Sequence, residues 1–127
     1  MARQKGTKHS PEVLDRIYEP VRERLEVVTE HLSALSRSQS PFLAELLGHV
    51  LENKGKRIRP ALVLLASDFH PNDGRKAEIM ATAVEMLHIA TLIHDDTVDN
   101  SEVRRGRPTV SSQWGRDTAV LLGDYVF

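Results

Sequence analysis

Cysteine is absent from this 127-residue chain, and the chain also lacks long apolar runs and a strong net charge. Without cysteine there can be no disulfide and no thiolate metal site, which fits a reducing compartment such as the cytoplasm. No apolar run approaches the roughly 18 residues that a membrane span needs, and no apolar segment follows the basic start as in a signal peptide. A formal net charge of −1 does not favour a general nucleic-acid binder.

Strand signals are also missing, because we find neither a hairpin signal nor an alternation of apolar and polar residues. Apolar residues instead recur at spacings of four and three in the first third of the chain, which is typical of a helix with one buried face. These residues are Leu14, Tyr18, Val21, Leu25, Val28, Leu32 and Leu35. We expect Pro20 to kink or restart this helix.

Helix starts are predicted where a serine precedes a proline, at residues 10–11 and 40–41, because serine caps a helix and proline suits its first turn. Pro60 is expected to open a third helix, which is apolar nearly all round and therefore central. A long helix is predicted from about Arg75 to Asn100. Residues 104–109 are expected to form a loop.

The last segment, 118–127, is apolar and helix-like, and Asp117 or Thr118 is expected to cap it. Since it stops without a polar tail, we expect a fragment of a longer protein. The sequence therefore predicts an all-α, antiparallel helical bundle. Residues 1–127 would form the N-terminal portion of a single domain, with residues 1–11 as a flexible tail.

An unusual group of acidic residues lies at the end of the long helix. Asp95 and Asp99 are four residues apart and so lie on one face of the helix. His88 lies two turns earlier on nearly the same face, whereas Asp96 lies about 100° around the helix from Asp95. Carboxylates near a helix C-terminus oppose the helix dipole by roughly 0.3–1 kcal/mol each, and these two also repel each other. A bound cation would offset both effects, and paired carboxylates suit Mg²⁺ that also contacts phosphate oxygens. The alternative is a solvated acidic helix end.

Two basic clusters flank these aspartates in the sequence. Their residues are Lys54, Lys56, Arg57 and Arg59 in the first cluster and Arg104, Arg105 and Arg107 in the second. Arginine binds phosphate oxygens through two N–H groups, and Gly55 lets the backbone approach a ligand closely. Each cluster alone is more often a solvated surface. Together with the aspartates they favour a polyphosphate ligand bridged by a metal ion.

Three motifs occur in an order that resembles the trans-isoprenyl diphosphate synthases, also called polyprenyl synthetases. GKRIRP at 55–60 resembles that family's Gly-Lys-Arg-x-Arg-Pro. HIATLIHDDTVDNSEVRRGRPT at 88–109 resembles its first aspartate-rich motif with the trailing Arg-Arg-Gly, and LLGDY at 121–125 resembles the start of its next core helix. The resemblance covers nearly the whole chain from about residue 12, but less than half of a typical family member.

The resemblance implies an all-α bundle around a large cavity, normally dimeric, so we expect a homo-oligomer. It also implies a head-to-tail condensation of isopentenyl diphosphate with an allylic diphosphate. Asp95 and Asp99 would ligate Mg²⁺ and Asp96 would support the motif, and these three with Arg104, which would contact the allylic diphosphate, form the catalytic set. The residues expected to hold isopentenyl diphosphate are Lys56, Arg59, His88 and Arg105.

Product length depends in this family on the residues one turn before the aspartates. Ala90 and Thr91 occupy positions five and four before Asp95. Short-chain synthases often carry bulky aromatic residues there. These small residues therefore suggest an open tunnel and a long-chain product.

The sequence departs from the family pattern in two respects. The second aspartate-rich motif is absent, so we expect the 127-residue chain to be inactive or nearly so by itself. Lys54 stands where the family usually has a small residue. Two other readings stay open: a non-catalytic subunit of a heteromeric prenyl diphosphate synthase, and a helical interaction module with an acidic helix end.

Overall fold

A computed structural model describes residues 11–37, 40–52 and 55–127, and most of them are helical. The helices are α1 (Pro11–Tyr18), α2 (Arg22–Ser36), α3 (Pro41–Leu51), α4 (Ile58–Ser67), α5 (Gly74–Val98), α6 (Val110–Trp114) and α7 (Arg116–Val126). The predicted all-α class is therefore confirmed. None of the helices in this part of the chain has the length and apolarity that crossing a bilayer would demand.

Some sequence predictions fall on positions that the structure does not describe. They concern the tail before Pro11, the cap at Ser10 and the departure at Lys54. Pro11 is the first residue of α1, as the serine–proline pair predicts, although the tail was expected to reach this residue.

The predicted break at Pro20 is confirmed as a restart of the helix. A 3₁₀ turn covers Glu19–Val21 between α1 and α2. The apolar stripe continues across this turn, since Val21, Val28 and Leu32 are fully buried or nearly so.

The centre of the fold is α5, which packs against α7, α4 and α2. The prediction of a central α4 was wrong. That helix buries Pro60, Ala61 and Leu64, but the side chain of Leu62 on another face is 60% exposed. The sequence pattern indicates that α4 is apolar on most faces. Which of these faces are buried depends on the helices that pack against it.

Of the helix starts predicted at Ser40 and Pro60, the first agrees with the structure and the second differs by two residues. Ser40 caps α3 as predicted, with its hydroxyl accepting a hydrogen bond from the N–H of Leu43. The next helix begins at Ile58 rather than Pro60, because Arg57 takes a left-handed conformation (φ 53°) and its carbonyl accepts from the N–H of Ala61. Proline therefore lies inside the first turn, where its missing N–H is tolerated.

The prediction of a plain loop at 104–109, without a hairpin, was wrong. Two short antiparallel strands, β1 (Val103–Arg104) and β2 (Arg107–Pro108), pair there. The intervening residues, Arg105 and Gly106, both have positive φ, 50° and 76°. This is the turn geometry that matches the twist of paired strands. Arginine at the first turn position hid the signal, since asparagine or glycine is usual there.

The predicted cap of the last helix was also wrong. Thr109 caps a separate short helix, α6, and its hydroxyl accepts from the N–H of Ser112. Gly115, with φ 94°, then separates α6 from α7. Asp117 consequently lies inside the first turn of α7 rather than before it.

Candidate active site

A pocket of about 150 Å³ lies where α5 meets the residues before α4 and the β1–β2 hairpin. Its lining includes all five residues that the sequence predicts to bind substrate, which are Lys56, Arg59, His88, Arg104 and Arg105. The side chain of Asp96 also lines it. Residues that are almost fifty positions apart in the chain thus share one cavity.

The second aspartate, Asp96, is engaged by an arginine of the hairpin. Its carboxylate accepts hydrogen bonds from Nε and Nη2 of Arg104 at 2.7 to 3.0 Å. Hydrogen bonding to Asp96 is the main cause that raises the pKa of Arg104, helped by the charges of Asp95 and Asp99. Asp96 is nearly buried, whereas Arg104 is partly exposed. This aspartate therefore anchors the hairpin to α5.

The other two aspartates stay at the surface. Asp95 and Asp99 are exposed at the end of α5, and the N–H of Asp99 donates to the carbonyl of Asp95 at 2.8 Å. Asp99 is the capping residue that follows the helix. Within residues 11–37, 40–52 and 55–127 no three histidine or carboxylate side chains come together as a metal site. Two carboxylates one turn apart could therefore hold an ion only together with ligands from outside this set.

The segment before α4 and the first turn of that helix are held by contacts from α1 and α5. We name residues 55–59 the basic loop. The hydroxyl of Tyr18 donates to the carbonyl of Lys56 at 2.9 Å. Arg57 forms an ion pair with Glu85 at 3.0 Å, and Nη1 of Arg59 donates to Nε2 of His88 at 3.0 Å.

The contact with Arg59 defines the protonation of His88. A guanidinium can only donate, so Nε2 of His88 must carry no proton in this arrangement. Burial, followed by repulsion from Arg59, lowers the pKa of His88. The charge of Glu85 opposes this shift, while Arg104 and Arg105 add to it. The imidazole is therefore neutral at pH 7 and accepts a hydrogen bond within a positively charged pocket.

The lowered pKa predicts how His88 affects stability. In the unfolded chain a histidine protonates near pH 6.5, so the unfolded state binds more protons as the pH falls. The stabilising contribution of the neutral ring is thus present above about pH 6.5 and is lost as the pH falls through the lower folded pKa. We expect the NMR titration midpoint of His88 to lie below 6.5 and to rise in Arg59→Gln.

The matched control for this titration is Arg75→Gln, which removes an exposed cation from the opposite end of α5. It should leave the midpoint of His88 unchanged, because 13 residues of helix separate the two by about 20 Å. A wild-type midpoint at or above 6.5 would contradict the lowered pKa of His88.

The hairpin carries Arg105 across to the basic loop. Its guanidinium lies against Gly55, so closely that a Cβ at Gly55 would stand 2.9 Å from Nη1 of Arg105. The base of the hairpin is held by Thr109, whose hydroxyl donates to the carbonyl of Ser101 at 2.7 Å. The two cationic segments therefore meet on one side of α5.

The two residues expected to control product length lie elsewhere on α5. Ala90 is completely buried in the core, while Thr91 is exposed and its hydroxyl donates to the carbonyl of His88 at 2.7 Å. Neither residue lines the pocket. Their role in chain length stays a prediction.

Sequence reasoning missed several residues that shape this site. They are Tyr18, His49 and Glu85, whereas Arg57 was named from the sequence only as a member of the first basic cluster. Nε2 of His49 donates to the carbonyl of Pro108 at 2.8 Å, and its ring meets that of Trp114 edge to face. Glu85 could have been suspected, because it is a charged residue among apolar ones and lies one turn before His88. The others become visible only when distant segments are brought together.

The fold and the pocket together define a helical protein with a cationic cleft beside an aspartate-bearing helix end. The chain belongs to the polyprenyl synthetase family, whose model matches residues 40–127. This confirms the resemblance inferred from the three motifs.

Individual relatives agree with this assignment. Component 2 of heptaprenyl diphosphate synthase from Bacillus subtilis strain 168 is 39% identical over 109 residues, which cover 86% of this chain and 31% of that protein. A crystal structure of a decaprenyl diphosphate synthase from Rhodobacter capsulatus is similar with a TM-score of 0.81 and 38% identity, over 90% of this chain and 35% of that one.

A third relative was crystallised with ligands. The polyprenyl synthase from Caulobacter crescentus CB15, complexed with calcium and isoprenyl diphosphate, is similar with a TM-score of 0.83 and 32% identity. The match covers 90% of this chain and 35% of that one. The chain thus spans about a third of the length of the relatives it matches.

Proposed function

We propose that this chain serves head-to-tail prenyl transfer, in which isopentenyl diphosphate condenses with an allylic diphosphate to give a long-chain trans-polyprenyl diphosphate. One observation carries the proposal: the cations of two separate segments converge on one pocket beside the aspartates of α5. Relatives named heptaprenyl, nonaprenyl and octaprenyl diphosphate synthases support a long-chain product.

Within this proposal the basic loop and its neighbours bind one diphosphate. Lys56, Arg59, His88 and Arg105 line the same pocket and would hold isopentenyl diphosphate. Arg104 would contact the allylic diphosphate. It uses Nε and Nη2 on Asp96, and its Nη1 makes no hydrogen bond within the described residues, so it can donate to a phosphate oxygen.

The exposed carboxylates of Asp95 and Asp99 fit Mg²⁺ in one particular way. This ion typically takes one or two protein carboxylates and completes its coordination with water and substrate phosphate oxygens. The absence of a third ligand-type side chain in the described part of the chain agrees with that mode. Bound there, Mg²⁺ would supply positive charge that stabilises a departing diphosphate.

The side chains of the pocket contribute charge and position rather than a nucleophile. When the allylic C–O bond ionises, negative charge builds on the departing diphosphate, and prearranged N–H donors stabilise it. The double bond of isopentenyl diphosphate then attacks the allylic cation, so the two substrates must be held in contact. The proton lost in the final step would pass to the diphosphate.

Binding of inorganic pyrophosphate tests the proposal without requiring turnover. We expect the 127-residue chain to bind pyrophosphate more tightly with Mg²⁺ than with EDTA. Asp95→Ala should weaken the Mg²⁺-dependent binding about tenfold, equivalent to about 1.4 kcal/mol. Isothermal titration calorimetry measures both.

The control is Asp15→Ala, which removes an exposed carboxylate from α1, away from the pocket lining. It should bind like the wild type. The metal-bridged site would be refuted if the affinity for pyrophosphate were the same with Mg²⁺ and with EDTA, or if Asp95→Ala bound as tightly as the wild type.

Four further parts of the proposal are not addressed by this binding experiment. They are the control of product length by Ala90 and Thr91, the homodimer, the cytoplasmic location and the lack of turnover by the 127-residue chain alone. Each remains a prediction.

A second candidate is a subunit of a heteromeric synthase. Two relatives, from Bacillus subtilis strain 168 and Geobacillus stearothermophilus, are named component 2 of heptaprenyl diphosphate synthase, and they are 39% and 40% identical to this chain. The retained aspartates favour a catalytic rather than a silent role for such a subunit.

A further inference from the structure

We propose that Arg57 and Glu85 are positioning residues, whose ion pair holds the basic loop in the conformation that presents Lys56 and Arg59 to a diphosphate. This inference rests on the proposed function and deepens it. Both residues line the pocket, but in this proposal they act on Lys56 and Arg59 and not on the substrate directly. Their effect would pass through the backbone of residues 56 and 57.

The ion pair is buried, unlike the other charges of the loop. Nη1 of Arg57 donates to a carboxylate oxygen of Glu85 at 3.0 Å, and the two side chains are only 12% and 9% exposed. A second donor, Nη2, reaches the carbonyl of Leu51 at 3.3 Å. The positive charge of Arg57 is thus neutralised by a partner in the pocket lining, whereas Lys56 and Arg59 stay exposed.

The backbone of Arg57 needs this support. With φ at 53° it lies in the left-handed region, which side chains with a Cβ avoid. Such a conformation persists where surrounding contacts determine it, and it clusters at functional sites. Here it places the carbonyl of Arg57 to accept from the N–H of Ala61 at 3.1 Å, which starts α4.

A second contact fixes the adjacent residue. The hydroxyl of Tyr18 donates to the carbonyl of Lys56 at 2.9 Å. Burial, and then repulsion from the carboxylate of Glu85, raises the pKa of Tyr18. The hydroxyl therefore keeps the proton that this hydrogen bond requires.

Both arginines of the basic loop form hydrogen bonds with side chains on one face of α5. Glu85 and His88 are three residues apart, so they are neighbours on the helix surface. Glu85 binds Arg57 and His88 accepts from Arg59. The ammonium of Lys56 makes no ion pair or hydrogen bond in the described part of the chain, and it is therefore available to an anion between these two fixed points.

Glu85→Gln is a decisive variant, because an electrostatic effect and a loss of loop positioning would change the affinity for pyrophosphate in opposite directions. The substitution removes a negative charge from the pocket lining, so a purely electrostatic effect would tighten binding of pyrophosphate. If the ion pair positions the loop, Glu85→Gln should instead weaken binding about tenfold, as when a supporting contact of a ligand group is lost. Arg57→Lys, which keeps the charge but loses the two-donor fork, should weaken it similarly.

The experiment measures pyrophosphate affinity of the 127-residue chain by calorimetry, in EDTA so that no metal contributes. The matched control is Glu78→Gln, the same change on the same helix at a residue that does not line the pocket. Circular dichroism and thermal melting show whether each variant is folded at the temperature used. A lower Tm with unchanged affinity would mean that the ion pair is merely structural, and would overturn the inference.

The other outcomes separate the inference from the proposed function. If Lys56→Ala and Arg59→Ala weaken binding while Glu85→Gln tightens it or Arg57→Lys leaves it unchanged, only the positioning role fails. If the wild type does not bind pyrophosphate, or if Lys56→Ala and Arg59→Ala bind as well as the wild type, the proposed diphosphate site fails and the inference fails with it.

Discussion

Replacing Arg104 by alanine is expected to destabilise the fold by about 2–3 kcal/mol, since a nearly buried carboxylate loses its charged hydrogen-bond partner. The carboxylate of Asp96 accepts three hydrogen bonds from this arginine, and its side chain is only 10% exposed. The arginine is 40% exposed, so solvent reduces the effect below that of a fully buried pair. Urea denaturation of wild type and variant measures the difference.

A double-mutant cycle isolates the pair. Asp96→Ala in the Arg104→Ala background should cost less than Asp96→Ala alone, because the carboxylate then has no partner to lose. Arg107→Ala is the matched control in the same hairpin, since this residue is exposed and, among the residues that the structure describes, its guanidinium contacts His49 alone, at 3.3 Å. We expect it to change stability by no more than about 0.5 kcal/mol. Equal losses in Arg104→Ala and Arg107→Ala would show that Asp96 does not anchor the hairpin.

Adding a methyl group at Gly123 is expected to destabilise the chain by about 1–3 kcal/mol, as is usual for overpacking. A Cβ at this position of α7 would overlap the imidazole ring of His94 on α5. To make room, the ring would have to leave its contacts with the carboxylate of Asp124 at 3.2 Å and the carbonyl of Val120 at 3.3 Å. Thermal and urea denaturation of Gly123→Ala test this.

Gly48→Ala supplies a control of opposite sign. Gly48 also lies within a helix, α3, but of the described residues a Cβ there would meet Glu52 alone, at an ordinary contact distance of 3.8 Å. Alanine should therefore stabilise the chain by about 0.4–1 kcal/mol through better helix propensity. In a His94→Ala background, Gly123→Ala should lose its destabilising effect. If it stays destabilising there, the clash with the ring is not the cause.

The comparison of Gly48 with Gly123 shows the limit of sequence reasoning. Both are glycines within apolar helical segments, and nothing in the sequence predicts a different effect of alanine at the two positions. They differ only in what faces them across the fold. No pattern in α7 indicates that the ring of His94, 29 positions earlier in the chain, occupies the space beside Gly123.

The hairpin illustrates a second limit. The sequence predicted a loop after the aspartates, and glycine and proline at 106 and 108 mark it. It did not predict that Arg105 takes a left-handed conformation, because arginine seldom does so. The anchors that stabilise this conformation, Asp96 on α5 and His49 on α3, come from other elements.

Local chemistry allowed the sequence by itself to determine the helical class, the helix start at Ser40, the break at Pro20 and the family motifs. Periodicity, capping and proline geometry act over a few residues, so a sequence displays them directly. It also determined which side chains carry charge near the end of α5. The joint match of three motifs then identified the family.

Only the tertiary structure decided which charged side chains form ion pairs and which stay exposed. It paired Asp96 with Arg104 and Glu85 with Arg57, while Asp95, Asp99 and Lys56 stayed exposed. Which of several nearby opposite charges form a pair depends on burial and on approach within about 3 Å. Both arise when segments far apart in the chain pack together, and no spacing along the sequence encodes them.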